Sequence, residues 1–594
     1  MERTLAKNIF KKTGQQVILR GWLYNLRLLG KINFLLLKDR SGTAQIVIQD
    51  VELLKKVKNL QVGSVLKVTG RVQASAKNEL NAEIVEPQID VEVTVTDIPP
   101  LEYNKPDLHA DLDTVLDYRP LSLRNNKIQA IFRVQAGILK AFTNSMAQLG
   151  FMEFRTPLLI GVPSESGADV FEVKYFEDKA YLAQSPQIYK QIMVGAFERV
   201  YTIATVFRAE KHNTSRHLME ITQLDGEMAF IDSYDDVLII VEQLIRDVFN
   251  YLRDNHQEDL ALWNATLPKL PEGRFPKIKV RDALELIEKR TGKSAQRENL
   301  DVDPDDEREL GKWVLEEHNS DFLWLLNFKK NKNFYTWNNP ENPEESLSYD
   351  LECRGLEWLS GTHRIHDFQE LLKRFKAQGL TESNYRHYFQ AFKFGMPPEA
   401  GFSLGLERMT QQIFQLKNIR EATLFPSDLK RVAGEGLSQK IYTGQVLYEK
   451  IISLLQQNNL EYQLMEHEEV ITSEQASQVR GTRMSEGIKA MILKGKKTGK
   501  LIMVCIPSDQ KINLPSLADK LGEHFELADP EVINKNYGID IGGVPPFGNL
   551  LGLPTYFTSE ITNEPKAAFN CGLKNKSIIM NSKDLVNLVI PEFL

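Results

Sequence analysis

Arg208 and Arg408 lie far apart in the chain, yet each stands in a context that suits phosphate. Arg208 opens the stretch FRAEKHNTSRHLMEITQLDGEM, Phe207 to Met228, and Arg408 closes GFSLGLER, Gly401 to Arg408. A guanidinium is planar, permanently charged and forked, so one arginine on a strand and one on a helix can hold two phosphates of one bent nucleotide. Either arginine alone is more often a surface ion-pair residue, because 73 Lys and Arg are spread over the chain. The combination points to ATP-using chemistry.

The elements that must position these arginines follow from periodicity. From Val17 to about Val95, short β-rich runs (VILRGWLYNLR, FLLLKDRSG, AQIVIQD, SVLKVTGRVQ) alternate with turn signals, the pattern of a small β-barrel. The proline-rich IPPLEYNKP stiffens the exit as a linker, with a boundary near Asn104. Ile131, Val134, Ile138, Phe142, Met146 and Leu149 recur every three or four residues, predicting one apolar stripe on a helix that stops at Gly150. That stripe suits core packing and a subunit interface equally. NNPENPEES, Asn338 to Ser346, reads as an exposed turn-rich insertion before the strand SYDLECRG, and the mixed pattern around it suits a large antiparallel catalytic sheet. Turn residues in RVAGEGLSQ lead to the amphipathic helix LYEKIISLLQQNN, where a third domain starts. The expected class is therefore multidomain α+β, with domains at 1–104, 105–433 and 434–594.

Composition excludes several classes. The 594 residues are 42% apolar, enough for several cores, and the three cysteines (Cys353, Cys505, Cys571) are too few and scattered for a disulfide framework or structural zinc. The N-terminus lacks an apolar signal region and no apolar run approaches the roughly 18 residues of a spanning helix, so the expectation is a soluble cytoplasmic protein with no membrane partner. The net charge of -7 argues against a generally basic nucleic-acid binder, although a local basic surface acts within about 10 Å and is still permitted.

From Val17 to Asp428 the chain resembles the class II aminoacyl-tRNA synthetases, in their aspartyl/asparaginyl branch of archaeal and eukaryotic type. FRAE with RHLME resembles motif 2, GFSLGLERM with NIREATLFPSD resembles motif 3, and the helix ending in GFMEFRTP resembles motif 1. The resemblance implies a seven-stranded antiparallel catalytic sheet, a homodimer, and attack of an amino-acid carboxylate on ATP followed by transfer to a tRNA 3' end. It implies that Arg208 meets the α-phosphate and Arg408 the γ-phosphate, as fixed electrostatic stabilisers. Glu210 would accept from the adenine amino group, with Arg216 and His217 at the pyrophosphate end. Asp350, Glu357 and Ser360 would hold magnesium, which takes one or two carboxylates plus substrate phosphates. Lys190 and Arg364 stand where the family reads the side chain, and two cations ask for the carboxylate of L-aspartate, since a neutral amide would leave Lys190 without a counter-ion. Gln187 would contact the substrate carboxylate region, Asp225 the α-ammonium, and Glu165 the closing loop. Departures from the family pattern are Ile221 for an adenine-stacking Phe, Ser403 and Ser166 for glycines, and Ser427 for an Arg.

By the same resemblance the first domain is an OB-fold that binds the anticodon, with Phe34 stacking a base and Arg27 and Gln45 beside it. Tyr24 lies where the choice of tRNA is tuned. The C-terminal EGIKAMIL, GIDIGGVPPFG and AAFNCGLKNKSIIM resemble the YbaK/prolyl-tRNA-editing superfamily. Lys489 would anchor the tRNA end, and Gly542, Gly543 and Gly548 would bracket a loop whose N–H groups approach an ester carbonyl. An inert tRNA-binding module is the alternative there. For the whole chain the alternatives are an asparagine ligase, which Lys190 disfavours, and a catalytically inactive tRNA-binding paralogue.

Overall fold

The computed structural model describes residues 2–76, 80–163, 170–210, 214–296, 301–329, 333–429, 431–436, 444–470 and 472–594. The chain divides into two compact units, Met1–Gly434 and Glu435–Leu594.

The first unit begins with a closed five-stranded barrel, in the order Gln16–Leu28, Asn33–Asp39, Gly42–Ile48, Ala82–Val93, Val65–Ala74. Strict alternation builds it: Leu35, Leu37, Ala44, Ile46, Val68 and Val72 fill the interior, and their neighbours face outward. The proline-rich exit is docked rather than free. Leu101 and Tyr103 are buried, and Asn125 Nδ2 donates to the Tyr103 and Lys105 carbonyls.

Asn125 also caps the helix Asn126–Gln148, its side chain accepting from the Lys127 and Ile128 amides. The chain turns out of that helix at Gly150, whose φ of +80° is open to glycine without strain. The stripe Ile131, Val134, Ile138, Phe142 and Met146 is wholly buried in a core shared with the helix Asp235–Asn255, so this chain itself covers it.

The catalytic-type sheet has eight strands, in the order Lys277–Lys279, Phe322–Leu326, Ser348–Cys353, Glu357–His363, Glu399–Gly405, Glu220–Ala229, Arg199–Phe207, Met152–Glu153. The six central strands are antiparallel, and the outermost strand at each edge joins in parallel. This corrects the expectation of a seven-stranded antiparallel sheet: among the described residues six strands are antiparallel, and the two parallel edge strands span only three and two residues, too short to read from alternation. The segment expected as an exposed insertion is exposed at its tip, Pro340, Glu341, Pro343 and Glu344, but its base is buried at Asn339, Glu345 and Ser346, where the Glu345 carboxylate accepts from Asn339 and Asn342 while pairing with Arg281 at 3.0 Å.

The second unit holds an antiparallel sheet of Tyr462–Glu466, Lys576–Asn581 and Lys566–Asn570, and a five-stranded sheet ordered Phe525–Leu527, Ile488–Gly495, Leu501–Pro507, Thr555–Phe557, Glu592–Phe593. The helix Gly444–Gln457 lays Leu447, Ile451 and Leu455 into the core beneath. All three cysteines are buried and unbridged, and no described helix is long and apolar enough to cross a membrane.

Candidate active site

One face of the large sheet carries a cavity of about 330 Å³, lined by Gln187, Lys190, Arg208, Glu210, Arg216, His217, Glu357, Ser360, Arg364 and Arg408, with Ile221 and Ser403 in its wall. Arg208 and Arg408, 200 residues apart in the chain, thus line one cavity. Arg208 sits just past the strand Arg199–Phe207, and its amide donates to the Met219 carbonyl at 2.9 Å, closing the hairpin base. The far end of the hairpin is tied to the segment after the helix Leu406–Phe414. Ile419 N donates to Ser215 O, Arg420 Nη1 to Thr214 O, and Met219 N to Ser427 O. Ser427 Oγ also donates to Glu220, so this departure from the family pattern knits two strand ends together.

Arg408 donates to the Glu357 backbone carbonyl at 3.1 Å and pairs with its carboxylate at 3.2 Å. Burial opposes the Arg408 charge, but Glu357, with Glu307 and Glu352 behind it, outweighs that and holds the guanidinium above its ordinary pKa. Arg216 pairs with Glu307 at 3.0 Å, and His217 Nδ1 shares a 2.6 Å hydrogen bond with Thr214 Oγ1.

Asp350 lies opposite Ser360, and Glu352 opposite Glu357, on paired strands. Burial and Glu357 push Asp350 well above the usual carboxylate range, and burial with Glu307 does the same to Glu352, whose Oε2 is a buried oxygen with no hydrogen-bond donor. Such a surplus of carboxylate is the donor set a hard cation relieves. Among the described residues no cluster of three or more His, Cys, Asp or Glu is preformed for a metal, so a cation here needs substrate oxygens as well.

In the same cavity Lys190 and Arg364 are held by carboxylates of this chain. Lys190 Nζ lies 3.0 Å from Asp225 Oδ2 and 3.2 Å from Glu227 Oε2, and donates to Phe402 O at 3.3 Å. Arg364 grips Glu227 through Nε (2.7 Å) and Nη2 (3.3 Å), and its Nη1 donates to Thr362 Oγ1 at 2.6 Å. Lys190 therefore already has two counter-ions, which corrects the premise that it would lack one. Asp225, the acid expected on the ammonium, partners Lys190 through Oδ2 and keeps Oδ1 unpartnered. Burial and Glu227 push the neighbouring Glu399 well above its ordinary range, and it accepts from Gln191, which in turn accepts from Gln187 and Tyr388. Two cations thus face two anions. The three bonds of Arg364 named above use three of the five N–H donors of a guanidinium, set in a fixed fork.

Glu227, Thr362, Glu399 and Glu307 were missed from sequence. Glu227 had a readable signal, since it follows Asp225 by two residues on a strand and so shares its face. The loop residues Glu165 and Ser166 lie outside the described residues.

On the barrel, Arg27 pairs across from Phe34, and Leu36 from Gln45, placing Arg27, Phe34 and Gln45 together on the outer face. Gln45 Nε2 donates to Glu83 at 2.9 Å, so its carbonyl is the part still available. In the second unit Lys489 is half-buried on the strand Ile488–Gly495 and makes no hydrogen bond or ion pair among the described residues. Gly542 (φ +89°) and Gly543 form a turn locked from behind: Asn570 Nδ2 donates to Gly542 O, and Gly572 N to Gly543 O. Gly548 has a different reason for being glycine, because a Cβ would lie 2.1 Å from Thr555 Oγ1. It is a packing position.

With this geometry in place, comparisons with known proteins are informative. Residues 17–101 match an OB-fold nucleic acid binding domain, 111–429 the family of tRNA synthetases class II (D, K and N), and 467–588 an aminoacyl-tRNA editing domain. The aspartate--tRNA(Asp) ligase of Thermococcus kodakarensis is 39% identical over 427 residues, 70% of this chain and 96% of that protein. The aspartate--tRNA(Asp/Asn) ligase of Aeropyrum pernix is 38% identical over 440 residues, 73% and 99% of the two chains. Among solved structures, the asparaginyl-tRNA synthetase of Pyrococcus horikoshii with asparaginyl-adenylate aligns at TM-score 0.67 and 28% identity over 73% of this chain and 99% of its own. The aspartyl-tRNA synthetase of Entamoeba histolytica gives 0.65 and 27% over 73% and 93%. The paired phosphate-type arginines, the antiparallel sheet beneath them and a family match over 111–429 together make this chain a member of the class II aminoacyl-tRNA synthetases, in the D, K and N group.

Proposed function

We propose that the protein ligates L-aspartate to tRNA through aspartyl-adenylate. The observation that carries this reading is one cavity lined both by Arg208 and Arg408 and by Lys190 and Arg364. An oxygen of the aspartate α-carboxylate attacks the α-phosphorus, the bond to the bridging oxygen breaks, and pyrophosphate leaves. Arg208 steadies the charge on the α-phosphate and Arg408 that on the γ-phosphate, neither moving a proton. A terminal ribose hydroxyl of tRNA then attacks the acyl carbon and AMP departs. Asp350, Glu357 and Ser360 would hold Mg²⁺, which when bound supplies positive charge to the phosphate oxygens. Glu210 with Ile221 suits the adenine, Arg216 and His217 the pyrophosphate end, and Gln187, Asp225 and Glu165 the amino-acid backbone.

The barrel face of Arg27, Phe34 and Gln45 suits the anticodon, with Tyr24 behind it. Lys489 and the Gly542–Gly543 turn suit hydrolysis of a mischarged ester. The domain limits 1–104, 105–433 and 434–594 assign these roles, in a cytoplasmic homodimer to which the exposed Phe197 and Phe230, flanking the Ala229 N to Glu198 O hydrogen bond, contribute apolar surface. Pyrophosphate exchange into ATP tests the substrate: exchange with L-aspartate and none with L-asparagine is expected, and equal exchange with both refutes the reading. Charging of separate aspartate and asparagine tRNA transcripts tests the decoding range, and we expect both to be charged.

A further inference from the structure

A second cavity, of about 440 Å³, opens between the barrel and the helix Asn126–Gln148, and none of its lining residues belongs to the cavity described above. Its volume falls within the roughly 300–1,000 Å³ typical of small-ligand sites. Trp22 and Lys38 are direct cross-strand partners on the barrel's outer face, and Phe34, Leu36 and Lys38 alternate along one side of their strand, so this face continues the one that carries Phe34. From the helix, Gln129, Arg133 and Ala136 supply the opposite wall at helical spacing.

The lining is aromatic and cationic. Trp22 is 42% exposed, a large ring left open to solvent. Lys38 is only 9% exposed, lies 5.2 Å from the Tyr24 ring centre and donates to the Arg124 carbonyl at 2.7 Å. Among the described residues its ammonium pairs with no carboxylate, and burial together with the nearby Arg133 lowers its pKa to about 8. Arg40 is exposed and makes no hydrogen bond or ion pair among the described residues. The Arg124 guanidinium lies 5.9 Å from the Tyr103 ring centre and pairs with no carboxylate among the described residues. Arg133 pairs with Asp259 at 2.7 Å. The acid in the lining, Asp39, accepts from the Ala6 and Ser41 amides and the Ser41 hydroxyl, which orient it away from an ion pair but leave its charge. Three cations without an ion-pair partner among the described residues, against one acid, thus line a cavity with rings that can stack a flat base.

We propose that this cavity binds a phosphate-bearing nucleotide, its base against Trp22 and its phosphate between Lys38, Arg40 and Arg124. Arginine and lysine pair with phosphate through charge-assisted hydrogen bonds, and bases stack on aromatic faces without regard to sequence. The same chemistry is offered by a free nucleotide and by one nucleotide of a bound tRNA.

The test uses the full-length protein with its catalytic cavity filled by aspartate and a non-hydrolysable ATP analogue. Guanosine monophosphate is titrated while tryptophan emission is followed, with equilibrium dialysis of labelled nucleotide in parallel. Saturable binding that quenches emission is expected, with Trp22→Phe abolishing the quench. Lys38→Met and Arg40→Glu should each weaken binding by about tenfold or more, as for loss of a charge-assisted phosphate contact. Displacement of the nucleotide by tRNA, together with weaker tRNA binding by Arg40→Glu, identifies a tRNA nucleotide as the occupant; lack of displacement identifies a free one. No saturable binding below about 1 mM overturns the proposal, as does binding unchanged in both charge variants.

Discussion

Replacing Lys190 by Met keeps the length of the side chain and removes one charge from a balanced cluster. Lys190, Asp225 and Glu227 have side chains no more than 2% exposed, and Arg364 only 4%, so solvent cannot replace the lost cation. The site passes from two cations facing two anions to one cation facing two. Removing one partner of a buried pair costs roughly 3–5 kcal/mol, which should lower the melting temperature. The substrate carboxylate now enters beside an uncompensated acid, and truncating a desolvated charge partner weakens binding by about 2–5 kcal/mol. At about 1.4 kcal/mol per factor of ten, that raises the aspartate KM in pyrophosphate exchange from roughly 30-fold to a few thousandfold. The KM for ATP should change little, because none of the Lys190 contacts reaches Arg208 or Arg408, the proposed phosphate ligands. Circular dichroism first establishes that the variant is folded. An unchanged aspartate KM in a folded variant would refute both the charge balance and the place of Lys190 in the substrate site.

Gly401→Ala should act on the same cluster from behind, since a Cβ there would lie 1.9 Å from Glu227 Oε2. It should cost aspartate activation at least tenfold, or soluble expression, and normal exchange kinetics would count against the role of Glu227. Glu407 is raised by burial to about 7, so it folds protonated near neutrality while the unfolded chain ionises near pH 4.5. Its contribution is full below about pH 4.5 and is lost as pH rises to about 7, by about 3 kcal/mol at 1.36 kcal/mol per unit, so Glu407→Gln should flatten that part of a stability profile measured by denaturant melts. Lys489→Ala in the full chain should abolish deacylation of a mischarged tRNA from a panel of aminoacyl-tRNAs and leave aspartate exchange intact; no ester cleaved by the parent protein would leave the inert-module alternative standing.

The parts of the fold that were legible in sequence are those governed by local rules. The stripe from Ile131 to Met146 and the turn at Gly150 follow from helical period and left-handed glycine, and the barrel follows from strand alternation. The exposed tip of the segment Asn338 to Ser346 follows from its polar, proline-rich residues, but its buried base does not: Asn339 and Asn342 satisfy the Glu345 carboxylate locally and allow it to be buried.

The sequence by itself determined which groups are candidates for the chemistry: two phosphate-type arginines, a carboxylate pair at Asp350 and Glu357, and two cations at Lys190 and Arg364. Those identities follow from side-chain charge and from motif order, which survive without coordinates. Only the tertiary structure decided how the charges are partnered. Glu227 binds both Lys190 and Arg364, Asp225 serves Lys190, and Arg408 is shared with Glu357, through strands brought together from distant parts of the chain. Coulomb interaction depends on separation and burial, and neither is written in the order of residues.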